Sequence, residues 1–175
     1  MQTWEAITSR RNVRAYADRP IPTDDLTRVL EAGRRSPSSK NSQPWDFVVI
    51  TDRDKLGELS RVWIHAGHVA GSAATIAFVA PVVTDGRQAE VIHYDLGQAT
   101  MSMVLAATDL GIGAGHSAVG DQDLARRLLD LPADRQCAYL LALGYPADGP
   151  PRPLKRPSRR PFDEVVHYGR WGQGR

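Results

Sequence analysis

Ser36-Pro37-Ser38-Ser39-Lys40-Asn41-Ser42-Gln43-Pro44-Trp45 packs small hydroxyls, an amide pair and two prolines into one short stretch. It lies between a helix-like segment and a strand-like one. Pro37 and Pro44 fix φ and withhold backbone donors, so this is a rigid loop and not part of a ladder. Ser38, Ser39, Asn41 and Gln43 together offer donors and acceptors, as the edge of a flat heteroaromatic ligand requires. The plainer reading is a helix–strand connection whose serines cap the preceding helix. The ligand reading is favoured because the chain has only two asparagines, Asn41 here and Asn12 in an arginine-rich segment upstream.

Moving outward, Thr23 opens a helix in which Leu26, Val29, Leu30 and Gly33 recur at helical spacing. Phe47-Val48-Val49-Ile50-Thr51 reads as a strand, and Asp52 caps a helix carrying Leu56, Leu59, Val62 and Trp63. Residues 3–10 read as a short helix with Thr3 as N-cap and Trp4, Ala6 and Ile7 as its apolar residues. Residues 73–83 form an apolar run suited to a strand buried on both faces, ending near Pro81. The segment 88–110 is the longest helix candidate. It has no charge from Leu96 to Thr108, which implies burial most of the way round and close approach of another backbone, conceivably a second subunit. Residues 112–119 read as a glycine-rich turn and short strand, Asp121 opens another helix, and residues 137–143 form a further buried strand. Six of the twelve prolines then fall between Pro146 and Pro161, among arginines and a lysine, so this segment runs extended over a surface. Phe162, Val165, Val166, Tyr168 and Trp171 resume apolar character, which implies that the tail docks somewhere.

At 175 residues, with 42% hydrophobic and 24% charged residues, the chain reads as one soluble globular domain, 1–175, whose end from about 147 is an extended arm. A net charge of +2 does not argue for nucleic acid. Cys137 is the only cysteine, which excludes an internal disulfide and points to a reducing, cytoplasmic setting. The N-terminus lacks the basic and apolar regions of a signal peptide, and no stretch reads as a membrane span. Gly111-Ile112-Gly113-Ala114-Gly115 fails the dinucleotide fingerprint, because position 116 is His116 and the run follows a helix. No Cys/His spacing suggests a metal, and Cys137 inside an apolar strand reads as a small hydrophobe and not a nucleophile.

Two basic clusters lie at opposite ends of the chain: Arg10, Arg11 and Arg14, then Arg159 and Arg160. Arginine's planar fork grips a phosphate bidentately, and Arg10 and Arg14 would share a face if the first helix ran on through them. Two solvated surfaces are the alternative. Together with the Ser/Asn loop, a phosphorylated heterocycle is the better account.

Arg10-Arg11-Asn12-Val13-Arg14-Ala15-Tyr16 followed by Pro37-Ser38-Ser39-Lys40-Asn41-Ser42-Gln43-Pro44-Trp45 closely resembles the nitroreductase family of FMN-dependent oxidoreductases. The resemblance continues through Asp95-Leu96-Gly97-Gln98-Ala99, Leu110-Gly111-Ile112-Gly113, Leu143-Gly144-Tyr145-Pro146 and Arg160-Pro161-Phe162-Asp163-Glu164-Val165-Val166-His167, in family order across nearly the whole chain. It implies an α+β fold: a three-layer α/β/α sandwich with a central, mainly antiparallel mixed sheet flanked by helices, and a C-terminal arm embracing the partner of a homodimer. It also implies FMN at the subunit interface. Arg10, Asn12 and Arg14 would take the phosphate and ribityl chain with Arg11 nearby, and Pro37, Ser38 and Ser39 would lie along the flavin. Asn41 and Gln43 would address its pyrimidine edge from the other subunit. Ala114, Gly115 and His116 would approach the ring from the opposite side, and Arg159 or Arg160 would complete the phosphate site. The family usually carries Ser or Thr where Asn12 stands, and an amide can still donate to phosphate.

The implied activity is ping-pong hydride transfer from NAD(P)H to FMN and on to a nitroaromatic, quinone or similar small acceptor. The flavin carries the chemistry, so no catalytic side chain and no metal is required. The alternatives are a flavin carrier or sensor without turnover, or another reductive reaction of the same family such as ene-type reduction or dehalogenation. His65 and His68 fall in the short stretch between Trp63 and Thr75 and either face the flavin or, as the favoured reading, lie at the surface.

Overall fold

The computed structural model describes residues 1–174. Four strands form one sheet: β1 (Asp46–Ile50), β2 (Ala74–Pro81), β3 (Gly113–Ala118) and β4 (Arg135–Gly144), in the order β1-β2-β4-β3. Every neighbouring pair is antiparallel. Among the described residues the parallel component is a single bridge from Asn12 to Ala114 of β3.

The two inner strands are buried on both faces because both faces are covered. On one side Ile76, Phe78 and Ala80 of β2 join Leu141 and Leu143 of β4. On the other, Ala77 joins Cys137, Leu140 and Ala142. Helices α2 (Thr23–Arg34) and α4 (Gly86–Asp109) cover the first face and pack tightly on each other. A Cβ on Gly33 would lie 2.1 Å from the Met103 side chain, so glycine there sets the approach of α2 to α4. Helices α3 (Arg53–Leu59) and α5 (Gln122–Leu129) cover the second face with the turn at Gly67–Val69. The result is the three-layer α/β/α arrangement.

Local capping follows side-chain chemistry. Asp52, Asp85 and Asp121 each accept a hydrogen bond from the backbone N–H three residues on, at the starts of α3, α4 and α5. Thr3 and Thr23 instead become the first residues of α1 (Thr3–Ser9) and α2. Gln2 and Pro22 stand at the cap positions without a side-chain bond.

Helix α4 differs from its sequence expectation on one face. Leu96, Ala99, Met103 and Ala107 are buried, but Val91, Tyr94 and Met101 are exposed, as are Trp4 and Ile7 of α1. The small residues of α4 therefore serve the packing beneath it, while an apolar stripe stays uncovered in the single chain. The arm behaves alike. Residues 152–165 are exposed throughout, α6 (Phe162–Val165) is one turn, and Phe162, Val165 and Trp171 stay largely exposed, with Trp171 against the His167 ring. Among the described residues no helix is long and apolar enough to cross a membrane.

Candidate functional site

Helix α1 stops at Ser9, so Arg10 and Arg14 do not share a helical face. They share a face by a different period. Residues 10–14 run extended beside β3, with Asn12 bridged to Ala114 and Val13 N–H donating to the Ala114 carbonyl at 2.8 Å. Alternation then places Arg10, Asn12 and Arg14 on one side and turns buried Val13 to the other. Arg11, out of phase with them, reaches Asp148 at 3.2 Å.

Gly115 makes this docking possible. A Cβ there would stand 2.3 Å from the Val13 carbonyl oxygen and 2.8 Å from the Tyr16 hydroxyl. The Tyr16 hydroxyl donates to Val13 O at 2.7 Å, closing the turn below the segment, and burial pushes its pKa up.

The side chains that gather here are cationic or cation-forming. His116 Nδ1 lies 3.3 Å from Asn12 Oδ1. Burial lowers the His116 pKa first, and the positive charges of Arg10, His68 and Arg14 lower it further. His68 is half-buried. Both of its ring nitrogens are buried without a hydrogen-bond partner among the described residues, with the Gly115 and His65 backbones nearby. Burial, then Arg14, depresses its pKa. Neither Arg10 nor Arg14 forms an ion pair among the described residues. An uncompensated concentration of positive charge at a sheet edge is the electrostatic form of an anion site.

The loop of residues 36–45 is built by other means. Lys40 (φ 53°), Asn41 (φ 55°) and Gln43 (φ 48°) all adopt left-handed backbone without being glycine, a conformation that persists only where surroundings over-determine it. Several contacts do so. The Ser39 N–H donates at 2.9 Å to Asp95 Oδ2, and Asp95, 1% exposed, also accepts from the Gln98 amide. The Gln43 N–H donates to Ser38 Oγ at 2.9 Å, and the Asn41 N–H to the Ser38 carbonyl at 3.0 Å. The Ser36 hydroxyl donates to Ser102 of α4 at 2.8 Å. Between this loop and α4 lies a cavity of about 470 Å³, walled by Pro37, Ser38 and Ser39 on one side and by Glu90, Val91 and Tyr94 on the other, with Asp95 and Gln98 at its base.

The chain thus assembles two groups. Arg10, Asn12, Arg14, Ala114, Gly115 and His116 meet at the β3 edge, while Pro37, Ser38, Ser39, Asn41 and Gln43 form the loop entering β1. With β1 and β3 at opposite edges of the sheet and the arginine segment beyond β3, four strand spacings, about 19 Å, separate Asn12 from β1. Among the described residues no hydrogen bond or ion pair joins the groups. Arg159 and Arg160 join neither: Arg159 donates to Ser158 O, and Arg160 pairs with Glu164 on the outstretched arm. Burial pushes the Cys137 thiol up to about 12, which leaves it unreactive. Sequence reasoning missed Asp95, marked only by its place in Asp95-Leu96-Gly97-Gln98-Ala99, and named His68 but favoured a surface position for it.

The chain matches the family described as Nitroreductase family over residues 7–68 and 63–145. It is 32% identical over 146 residues to a protein of Archaeoglobus fulgidus provisionally described as an NADH dehydrogenase/NAD(P)H nitroreductase, covering 81% of this chain and 84% of the relative. It is 28% identical to the FMN reductase [NAD(P)H] of Bacillus subtilis, covering 93% of this chain and 72% of that protein. Among solved structures, a nitroreductase family protein from Clostridium difficile superimposes with a TM-score of 0.83 at 25% identity, covering 97% of this chain and 99% of that one.

Proposed function

Since the chain belongs to the Nitroreductase family, we propose that it is an FMN-dependent oxidoreductase taking electrons from NAD(P)H and giving them to a nitroaromatic, quinone or similar small acceptor. The observation that carries this reading is the pair of half-sites: unbalanced positive charge at the β3 edge, and a polar loop held in left-handed backbone at the opposite edge.

The donor set suits FMN. Arg10 and Arg14, free of carboxylate partners, match a phosphate dianion, and the Asn12 amide adds a donor beside them. The backbone of Ala114, Gly115 and His116 runs directly beside this segment, close-packed against Val13 because Gly115 has no side chain. Ser38, Ser39, Asn41 and Gln43 supply both polarities for a heterocyclic edge. When bound, FMN supplies the two-electron relay, so that a nitroarene, NAD(P)H and a proton yield a nitroso compound, water and NAD(P)⁺. The protein's residues grip the phosphate, fix the ring's plane and exclude water.

Two half-sites at opposite edges call for a second copy. In the homodimer we propose, the loop of one protomer faces the arginine segment of its partner, and the uncovered stripe of Val91, Tyr94 and Met101 is covered between them. The arm, whose Phe162, Val165 and Trp171 stay largely exposed in one chain, wraps the partner, and Arg159 or Arg160 completes the phosphate shell.

Purified protein is expected to be yellow and dimeric. Stopped-flow mixing with NADPH should bleach the flavin band, and menadione should restore it. Bleaching without restoration by any acceptor would leave a carrier or sensor. Colourless protein whose melting temperature ignores added FMN would end both readings. Arg14→Ala should weaken FMN about 10- to 100-fold, the worth of one or two charge-assisted hydrogen bonds.

A further inference from the structure

The arm carries more positive charge than one phosphate can use. Arg152, Lys155, Arg156, Arg159 and Arg160 follow one another with no acidic residue between Asp148 and Asp163. Among the described residues, Arg160 alone of these finds a carboxylate, that of Glu164. Ser158 sits in their midst, exposed, with Lys155 and Arg156 three and two residues before it and Arg159 directly after. Its carbonyl accepts from Arg159, but its hydroxyl makes no hydrogen bond among the described residues. Residues 151–161 form neither helix nor strand, and the prolines at 151, 153, 157 and 161 keep the span extended. Hydroxyls elsewhere that lack a hydrogen bond stand in different settings. Those of α1 and α2 lie inside helices, Thr51 and Thr84 each precede an aspartate, and Ser39 and Ser42 belong to the anchored loop. An exposed, uncommitted hydroxyl on extended backbone among cations is what an acidic substrate groove selects for phosphoryl transfer.

We infer that Ser158 is a phosphorylation site for a serine kinase with an acidic substrate groove, and that the phosphate it receives loosens the cofactor by capturing the arginines beside it. In the transfer an O–P bond forms at Ser158 Oγ while the bond from the terminal phosphorus of ATP to its bridging oxygen breaks. ADP departs, and the hydroxyl proton passes to the kinase's carboxylate base. The product carries about −1.5 to −2 charges and three acceptor oxygens, with Arg159 and Arg160 one and two residues along. An anion on the same chain meets these arginines at a high effective concentration, so it competes with the phosphate of a dissociable cofactor. The loosening rests on the reading above, in which Arg159 or Arg160 reaches the FMN phosphate; the modification does not. Docking of the arm leaves Ser158 accessible, because Phe162, Val165 and Trp171, the residues with apolar surface to bury, all follow it. Before it, from 152 on, Leu154 is the one apolar side chain besides the prolines.

The test incubates the FMN-loaded full chain with ATP and the catalytic subunit of cyclic-AMP-dependent protein kinase, which has this charge preference. The intact mass should rise by one phosphoryl group per chain, and peptide mapping should place it on Ser158. Ser158→Ala should take up none. Replacing Lys155 and Arg156 together by alanine should lower kcat/KM for the phosphorylation about 10- to 100-fold, the worth of one or two charge-assisted hydrogen bonds. Release of FMN on dilution, followed by the rise in flavin fluorescence, should quicken about tenfold in the phosphorylated protein. A phosphatase should return it to the starting rate. No incorporation, or incorporation at the wild-type level in Ser158→Ala, overturns the site. Incorporation at Ser158 with FMN release changed by less than about twofold overturns the loosening. Protein that is phosphorylated at Ser158 but never holds FMN removes the flavin reading instead and leaves the site standing.

Discussion

Beside β3, residues 10–14 are held by what is regular: a sheet-type bridge, an alternating side-chain period, and a glycine at position 115 whose missing Cβ leaves room for the Val13 carbonyl. Ahead of β1, residues 36–45 are held by what is irregular: three left-handed non-glycine residues, two prolines, and a buried carboxylate reaching in from another element. The first half concentrates charge and the second concentrates shape. A phosphate needs only positive potential and donors, which a sheet edge can present without strain. The rim of a planar ring needs hydrogen-bonding groups at fixed angles, and these come from a backbone forced into place and then tied down.

The comparison breaks most severely at Gly115. Gly115→Ala places a methyl group 2.3 Å from a backbone carbonyl that cannot swing away as a side-chain tip would. It should cost about 2–3 kcal/mol in urea unfolding, at the upper end for overpacking. FMN affinity should fall with it, because displacing Val13 moves Arg10 and Arg14 together. Unchanged stability would mean that the segment is held by something other than this close approach.

In the loop the corresponding change is Asp95→Ala. It removes the acceptor of the Ser39 N–H and of the Gln98 amide in a site only 1% exposed. A loss of about 1.5–3 kcal/mol is expected, the range for hydrogen bonds to a charged partner. Hydrogen exchange separates the two variants: Asp95→Ala should raise exchange at residues 38–43 and leave the β3 edge protected, and Gly115→Ala should do the reverse.

The contrast also explains what could be read from sequence. The strands were legible because β2 is apolar except at Thr75 and β4 is apolar from Cys137 to Leu143, and the aspartates at positions 52 and 121 announced helix starts that the structure keeps. The arginine group was legible as composition but not as geometry. Arg10 and Arg14 sit four apart, which suggests a helix, and nothing before Arg10 showed that α1 would end at Ser9 and leave an extended segment that gathers them by alternation instead. The loop was legible as chemistry, through its serines, prolines and rare asparagine. Its left-handed backbone was not, since lysine and glutamine carry no preference for φ > 0. Asp95 and His68 act across 56 and 47 positions of sequence from Ser39 and Gly115, and only folding shows such pairings. The bare faces of α4 and the arm were half legible: their apolar residues were visible, and that one chain leaves them uncovered was not.

A smaller change sharpens the strain argument from the favourable side. Lys40, at φ 53° and exposed, makes no side-chain bond among the described residues that would explain its conformation. Lys40→Gly should stabilise the protein by about 0.5–1 kcal/mol, the left-handed penalty relieved less the entropy glycine loses on folding. A raised melting temperature with unchanged FMN affinity would locate the loop's function in its anchors. A raised melting temperature with weaker binding would locate it in the strain itself.

The smallest effect concerns protons and touches only the β3 half. His68 and His116 have folded-state pKa values depressed below the ordinary histidine value of 6.5, first by burial, then at His68 by Arg14 and at His116 by Arg10, His68 and Arg14. A depressed histidine binds fewer protons folded than unfolded, so stability rises with pH where the unfolded state takes up the extra proton. The contribution is complete above pH 6.5, where both states are neutral, and is lost as pH falls through the folded pKa values. Urea unfolding at stepped pH should show wild type losing stability below 6.5 faster than His68→Gln, with His116 leaving a residual slope in the variant. Asp95→Ala, whose change lies in the other half, should keep the wild-type slope while starting from a lower value. Saturating FMN should flatten the slope, because a phosphate among Arg10, Arg14 and the two imidazoles restores the anionic partner that this edge lacks and raises both histidines. A slope that is the same with and without FMN would separate these histidines from the phosphate, leaving the two arginines and the Asn12 amide to hold it.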